Sequence, residues 1–249
     1  MGAREAGEAV YVELYPDFSI DVFGPIMQPG SSSHTAAPCR LGRLAYDLLG
    51  EEPRQIRVTV EAEGSFAGTF GVMNEDNAML AGAMGFPPDD TRLFQARQIA
   101  QRSGIAYSFE TATIEKRAHA NASKLELTGR EGRKVTLVGD STGGGMIETR
   151  YVDGYPLRLR GDSYVLLIFD PQRLVTPARA ERAREILPSL VGAGEYVVDG
   201  KGALYYFKTA EATEPGPMRR LFPGAQVGRL RPVLPVITRP GANRSSLTP

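Results

Sequence analysis

The sequence predicts an α+β protein made of two units, and three observations support this. Apolar residues recur at helical spacing over residues 41–49, where Leu41, Leu44 and Leu48 share one face. Apolar and polar residues alternate at strand spacing over residues 56–60. After a cluster of turn residues at 153–162, the pattern reads strand, helix, strand, strand, helix, strand. We therefore predict one domain over residues 1–158, a second over 159–238, and a disordered polar tail over 239–249.

Helices and strands alternate in the first domain. Their predicted order is a helix at 41–49 ended by Gly50, a strand at 56–60, helices at 75–84 and 89–102, and a strand at 105–109. Arg57 and Thr59 give the first strand a solvent-facing side, and acidic residues occupy the first turn of the third helix. A hairpin turn at residues 129–132 is expected to place Leu125 and Leu127 opposite Val135 and Leu137.

The second domain has a simpler pattern. A buried strand at 164–169 precedes a helix at 178–190, which Thr176 caps and Pro177 begins. A hairpin joining 196–198 to 203–207, a short helix at 217–222 and a strand at 227–234 complete the unit. This βαββαβ order is the ferredoxin-like topology. In size and topology the unit is similar to regulatory amino-acid-binding modules of the ACT type.

Composition excludes several classes of protein. The 249 residues carry 29 basic and 29 acidic side chains, so the chain lacks the positive excess of nucleic-acid-binding proteins. No apolar run approaches the roughly 20 residues of a membrane helix, and the N-terminal MGAREAGEAV has no apolar signal segment. One cysteine, Cys39, cannot form an internal disulfide or hold a cysteine-rich metal site alone. We therefore expect a cytoplasmic protein.

A polar loop over residues 31–35, here named the serine loop, is the densest candidate site. It contains Ser31, Ser32, Ser33, His34 and Thr35 directly before the first helix. Hydroxyls and free backbone N–H groups at a helix N-terminus can bind an anion such as a carboxylate. The other interpretation, which the spacing alone favours, is a helix cap followed by a flexible turn.

Two further segments invite a functional interpretation beside a structural one. His119, with Asn121 two residues later, is either a base or substrate anchor, or an exposed loop histidine. Gly143, Gly144 and Gly145 permit either close approach of backbone to a ligand or a tight strand connection.

Taken together, these segments resemble the β chain of the bacterial iron–sulfur L-serine dehydratases. The strongest match is residues 23–36, FGPIMQPGSSSHTA, which is similar to the family pattern IGPVM-x-GPSSSHT-x-G. Further matches follow in order: RLGR at 40–43, GSFA at 64–67, HAN at 119–121, GGGMIE at 143–148 and DGY at 153–155. Their order and spacing agree over about residues 18–170, and both histidines of the chain fall on motif positions.

The chain departs from the family pattern in three loops. Pro29 and Gly30 stand in the reverse order of the family's Gly-Pro. The family's GHGTD is VMNED here, so Met73 replaces a histidine while Asp76 remains. The family's HPNT is HANA, with Ala120 and Ala122 in place of proline and threonine. Because these loops are expected to face the ligand, the sequence does not specify which hydroxy amino acid is the substrate.

The resemblance implies a serine-dehydratase β-type (allosteric-substrate-binding-like) domain followed by an ACT-like domain. It implies a [4Fe–4S] cluster that acts on the substrate hydroxyl and is ligated by a partner α chain, because this chain has one cysteine. The catalytic residues it implies are His34 and His119. The substrate-binding residues it implies are Ser31, Ser32, Ser33, Thr35, Asp76, Asn121, Gly143, Gly144 and Gly145.

Two alternatives stay open at the level of the sequence. The serine loop either takes part in dehydration or holds a regulatory amino acid. The whole chain is either a dehydratase subunit, silent without its α chain, or a stand-alone amino-acid sensor without catalytic activity.

Overall fold

The structure is a computed structural model that describes the backbone of Arg4–Glu5 and residues 24–115, 117 and 119–234. Two β-sheets form its framework, one of six strands and one of five. The fold is mixed α+β, as predicted. The polar tail predicted for 239–249 lies outside the described residues.

The six-stranded sheet comes from the first part of the chain. Its strands are β2 (Pro53–Glu61), β3 (Ala106–Ala112), β4 (Ala122–Gly129), β5 (Lys134–Gly143), β6 (Met146–Val152) and β7 (Tyr155–Pro156). They are ordered β3-β2-β4-β5-β6-β7, and only the β2–β3 pair is parallel. Leu125 pairs with Leu137 and Leu127 with Val135, which confirms the predicted hairpin.

One face of this sheet is covered by helices. The helices are α1 (Ala37–Leu49), α2 (Ser65–Thr69), α3 (Glu75–Ala83) and α4 (Ala96–Arg102). A π-helical turn at Ser32–Ala36 leads directly into α1, and Gly50 ends α1 with a φ of 71°. Helices α1 and α3 pack at close range because Gly42 and Gly82 lack side chains: a Cβ on Gly42 would lie 2.5 Å from the Met79 carbonyl oxygen.

The five-stranded sheet comes almost entirely from the last third of the chain. Strand β1 (Arg4–Glu5) pairs with β9 (Leu190–Val198), followed in space by β10 (Gly202–Thr209), β8 (Tyr164–Asp170) and β11 (Gln226–Leu230). Helices α5 (Pro177–Ile186) and α6 (Gly216–Leu221) contribute to one apolar cluster with one face of this sheet. The chain order from β8 to β11 is therefore the predicted strand, helix, strand, strand, helix, strand.

The opposite face of the five-stranded sheet packs toward the first part of the chain. Leu167, Leu204 and Tyr206 belong to the same continuous apolar cluster as the core residues of α1 and the six-stranded sheet. Asp47 of α1 accepts hydrogen bonds from the Arg231 backbone N–H and guanidinium, which ties α1 to the segment after β11. The two sheets thus share one core rather than standing apart.

Several predicted boundaries were wrong for local reasons. The helix predicted at 89–102 begins only at Ala96, because Asp90 instead accepts hydrogen bonds from the backbone N–H and guanidinium of Arg92. Thr59 is buried, so only the first half of β2 has a solvent-facing side. The helix predicted to reach residue 190 ends at Ile186, because the next strand starts at Leu190.

The last predicted strand is also shorter, ending at Leu230 rather than at residue 234. Within the described residues, no helix combines the length and apolar character needed to cross a membrane.

Candidate functional site

The serine loop wraps around the ring of His34. The Nδ1 atom of His34 lies 3.0 Å from Ser33 Oγ and 3.3 Å from Ser31 Oγ, and these two hydroxyls lie 3.1 Å apart. The ring of Phe66 packs edge-on against the imidazole at a centroid distance of 5.2 Å. Ser141 on β5 holds the loop against the sheet, since its hydroxyl donates to the Ser33 carbonyl oxygen at 3.0 Å.

The other side of the His34 ring meets two further segments of the chain. The Nε2 atom lies 3.3 Å from the hydroxyl of Ser65, the first residue of α2. The Ser65 hydroxyl and backbone N–H both donate to Asn121 Oδ1, at 2.5 and 3.1 Å. The Asn121 backbone N–H in turn donates to His119 Nδ1 at 3.0 Å. A hydrogen-bond chain therefore links His34, Ser65, Asn121 and His119.

The direction of these hydrogen bonds fixes the tautomer of His34. Because a backbone N–H donates to Asn121 Oδ1, that atom is the amide oxygen, and the Ser65 hydroxyl hydrogen must point to it as well. The Ser65 oxygen is then left to accept from His34 Nε2–H, so His34 Nδ1 is the acceptor for a serine-loop hydroxyl. Burial lowers the pKa of His34, which favours this neutral form.

The structure places the remaining serine-loop residues in different settings. Neither the Ser32 hydroxyl nor the Thr35 hydroxyl has a hydrogen-bond partner within the described residues. The two differ in burial, since the Thr35 hydroxyl is fully buried. A Cβ on Gly30 would lie 2.8 Å from Thr35 Oγ1, so the reversed Pro29-Gly30 pair leaves space that a larger residue at 30 would fill.

Asp76 and the three glycines stand outside this hydrogen-bond chain. Asp76, buried at the start of α3, forms an ion pair with Arg97, and its Oδ1 atom has no hydrogen-bond partner in the part of the chain that the structure describes. Gly143, Gly144 and Gly145 make the tight connection between β5 and β6, with φ angles of 103°, 59° and 83° that favour glycine. The Gly145 carbonyl accepts a hydrogen bond from the guanidinium of Arg40, which is itself buried in α1.

Sequence reasoning missed three residues of the site. Ser65 lies within the GSFA match, whose pattern does not distinguish it, although it is the contact that joins His34 to Asn121. Arg40 lies within the RLGR match; burial lowers its pKa to about 10, and its Nε atom has no hydrogen-bond partner within the described ranges. Asp140, on β5, is fully buried beside Arg150; burial raises its pKa and the Arg150 guanidinium opposes this. A buried polar residue gives no periodic signal that a sequence could reveal.

The donor set of this chain does not fit an iron–sulfur cluster. Cys39 is fully buried in α1 and donates to the Phe86 carbonyl oxygen, and burial raises the pKa of its thiol to about 12. A cluster needs several thiolates, and a thiol with such a pKa stays protonated. Among the described residues, no three His, Cys, Asp or Glu side chains are grouped closely enough to hold a metal ion.

Comparison with known proteins identifies the relatives of this chain. No family model matches it. It is 33% identical over 159 residues to "L-serine dehydratase, beta chain" of Peptoniphilus asaccharolyticus, an alignment that covers 63% of this chain and 71% of that protein. It is 37% identical over 158 residues to "Probable L-serine dehydratase, beta chain" of Bacillus subtilis (strain 168), covering 64% and 70%. The chain therefore belongs to the L-serine dehydratase β-chain family.

Proposed function

We propose that this chain is the β subunit of an iron–sulfur-dependent dehydratase that acts on L-serine or a related β-hydroxy amino acid. Its partner is an α chain that carries the [4Fe–4S] cluster, since the thiol and donor groups described above do not fit one. The single observation that carries the proposal is the hydrogen-bond chain from His34 through Ser65 to Asn121, in a chain whose relatives are named serine dehydratase β chains.

The serine loop supplies donors suited to a substrate carboxylate. The Ser32 hydroxyl and the backbone N–H groups at the start of the π-helical turn can bind the carboxylate oxygens. Ser31, Ser33 and Thr35 complete this polar lining in our proposal.

We assign the proton transfers to the two histidines. Neutral His34 already accepts at Nδ1, so it can take up a proton that arrives through a serine-loop hydroxyl. His119 lies at the exposed end of the same hydrogen-bond chain, where it can face the α chain. Asn121 orients both histidines. Asp76 and the glycine turn at 143–145 form the outer boundary of the substrate site, with Asp76 as a partner for the substrate ammonium.

The chain's two parts have separate roles in this proposal. Residues 1–158 form the serine-dehydratase β-type domain, and 159–238 form an ACT-like regulatory domain in a cytoplasmic enzyme. Supporting this division, the two helices of the second part cover one face of its sheet, as the βαββαβ arrangement requires.

Co-expression tests the proposal. This chain, carrying an affinity tag, is produced together with a cysteine-bearing serine dehydratase α chain and purified without oxygen. We expect the two chains to elute together with bound iron and to release keto acid and ammonia from L-serine, whereas this chain alone releases neither. A complex with an intact cluster that dehydrates no β-hydroxy amino acid would overturn the enzyme assignment in favour of an amino-acid sensor.

A further inference from the structure

Glu75, the first residue of α3, is a buried acid that the proposed function leaves without a role. Its side chain is fully buried, and none of the described cations forms an ion pair with it. One carboxyl oxygen, Oε1, lies 2.9 Å from the hydroxyl of Thr69, the last residue of α2. The other oxygen, Oε2, is buried and has no hydrogen-bond partner among the described residues. An isolated buried carboxylate is far more costly than a neutral carboxylic acid.

The hydrogen count at Thr69 independently favours the neutral acid. Thr69 Oγ1 lies 2.8 Å from the Ser65 carbonyl oxygen and 2.9 Å from Glu75 Oε1. One hydroxyl hydrogen cannot be donated fully to two oxygens, and the Ser65 carbonyl can only accept. If Glu75 carries a proton, its O–H donates to Thr69 Oγ1 and Thr69 donates to the Ser65 carbonyl oxygen, so both contacts of Thr69 are satisfied.

The charged groups around α3 agree with this assignment. Burial raises the pKa of Glu75, and the charge of neighbouring Asp76 adds to this rise. Hydrogen bonds from the Thr69 hydroxyl and nearby backbone N–H groups lower the pKa, but they offset only part of the rise. The elements that pack against α3 carry these titratable side chains: His34 of the π-helical turn, Cys39, Arg40, Arg43, Tyr46 and Asp47 of α1, Arg97 and Arg102 of α4, and Arg54, Arg57 and Glu61 of β2. None of them has a hydrogen bond or ion pair to Glu75.

The contact matters because α2 is only five residues long. Its first residue, Ser65, is bound to His34 and Asn121, and its last residue, Thr69, is bound to Glu75. We propose that Glu75 is an uncharged positioning residue of the site, whose O–H holds Thr69 and thereby holds Ser65 against His34 and Asn121. When Glu75 ionises, Thr69 must turn its hydrogen from the Ser65 carbonyl to the carboxylate, so the hydrogen bond that holds the Ser65 carbonyl is lost.

The protonation state of Glu75 is testable on this chain alone, without any partner. The probe is the 13C signal of the glutamate carboxyl carbons across a pH titration, with Glu75 identified by its absence in Glu75→Gln. We expect this signal to remain that of the protonated carboxyl at pH values above the ordinary glutamate pKa of about 4.3. A Glu75 signal that titrates in the ordinary range would overturn the proposal.

The positioning role rests on the proposed function and needs the assembled enzyme. Glu75→Ala should lower kcat/KM by roughly tenfold, as expected for one lost hydrogen bond. Glu75→Gln should recover much of this loss, because its amide N–H can replace the carboxylic O–H. We also expect the activity of the wild-type enzyme to fall at alkaline pH as Glu75 ionises. This fall should be absent in Glu75→Gln, and a merely structural role of Glu75 would not remove it.

The surface variant Glu181→Gln is the control for these measurements. Equal losses and identical pH profiles in Glu75→Ala and Glu75→Gln would contradict the positioning role. An inactive wild-type complex would instead count against the proposed function and leave the carboxyl titration as the deciding result for Glu75.

Discussion

The imidazole of His34 and the hydroxyl of Ser65 meet at 3.3 Å, although 31 positions separate them in the sequence. His34 belongs to the turn before α1, and Ser65 begins the short helix that follows β2. Asn121 comes from a third segment, directly before β4. The candidate site is therefore a product of the sheet order, which brings the ends of β2 and β4 together.

Removing the Ser65 hydroxyl should break the hydrogen-bond chain between His34 and Asn121. We expect Ser65→Ala to lower kcat/KM of the assembled enzyme by roughly tenfold or more, because His34 loses its acceptor and Asn121 loses one donor. The melting temperature should fall only slightly, since Ser65 is largely exposed. The matched control is Ser103→Ala at the end of α4, which should change neither quantity. Wild-type kinetics in Ser65→Ala would show that this contact has no catalytic role.

Cys39 should be chemically silent in the folded chain. A fully buried thiol whose pKa is raised to about 12 forms almost no thiolate at neutral pH. We expect a thiol reagent such as DTNB to modify Cys39 only after denaturation, and Cys39→Ala to leave the iron content of the assembled enzyme unchanged. Loss of iron in that variant would place the thiol among the cluster ligands, contrary to our proposal.

Glu61 should make the stability of the chain depend on acid pH. Burial acts to raise the pKa of Glu61, but hydrogen bonds from Ile114 N–H and Glu63 N–H and the charge of Arg117 outweigh it, so the pKa is lowered. A carboxyl with a lowered folded-state pKa stabilises the fold above its unfolded-state pKa of about 4.3, and this stabilisation is lost as pH falls through the folded-state value.

We therefore expect Glu61→Gln to lower the unfolding free energy by about 1–3 kcal/mol at neutral pH and to have a smaller effect in acid. Urea denaturation at several pH values measures the loss of unfolding free energy at neutral pH and in acid. The control is Glu126→Gln, at a partly exposed position on β4. An equal cost at all pH values would mean that the charge of Glu61 contributes nothing.

The shared core should make the two parts of the chain unfold together. Leu167 of β8 is fully buried in the cluster that also contains the core of α1. Leu167→Ala should cost about 2–5 kcal/mol and leave one cooperative calorimetric transition at a lower temperature. Two separated transitions would show that residues 1–158 and 159–238 are thermodynamically independent domains.

Much of this fold was predictable because it rests on local patterns. The hairpin pairing Leu125 with Leu137 follows from alternation around a turn, and the Thr176–Pro177 start of α5 follows from helix capping. The 89–102 helix was misplaced because the Asp90 side chain binds Arg92 locally and competes with the helical hydrogen bonds.

The candidate site was predictable only in part. His34 and the serines stand out as polar residues clustered before a helix. Ser65 does not, because its significance comes from contacts with distant segments, and Glu75 does not, because its significance comes from complete burial. Neither property leaves a periodic trace in the sequence.

The steady-state rate of keto-acid release from L-serine by the assembled complex, compared between wild type and His34→Ala, tests the central claim most directly. Proton transfer by a positioned side chain typically contributes about 100- to 10,000-fold to a rate, so we expect a loss of roughly that size in kcat/KM for His34→Ala. The two complexes should hold equal iron, and their melting temperatures should differ by only a few degrees, about what 1 kcal/mol causes in a chain of this size. Full activity in His34→Ala, at equal iron content, would remove the serine loop from the active site and contradict the account.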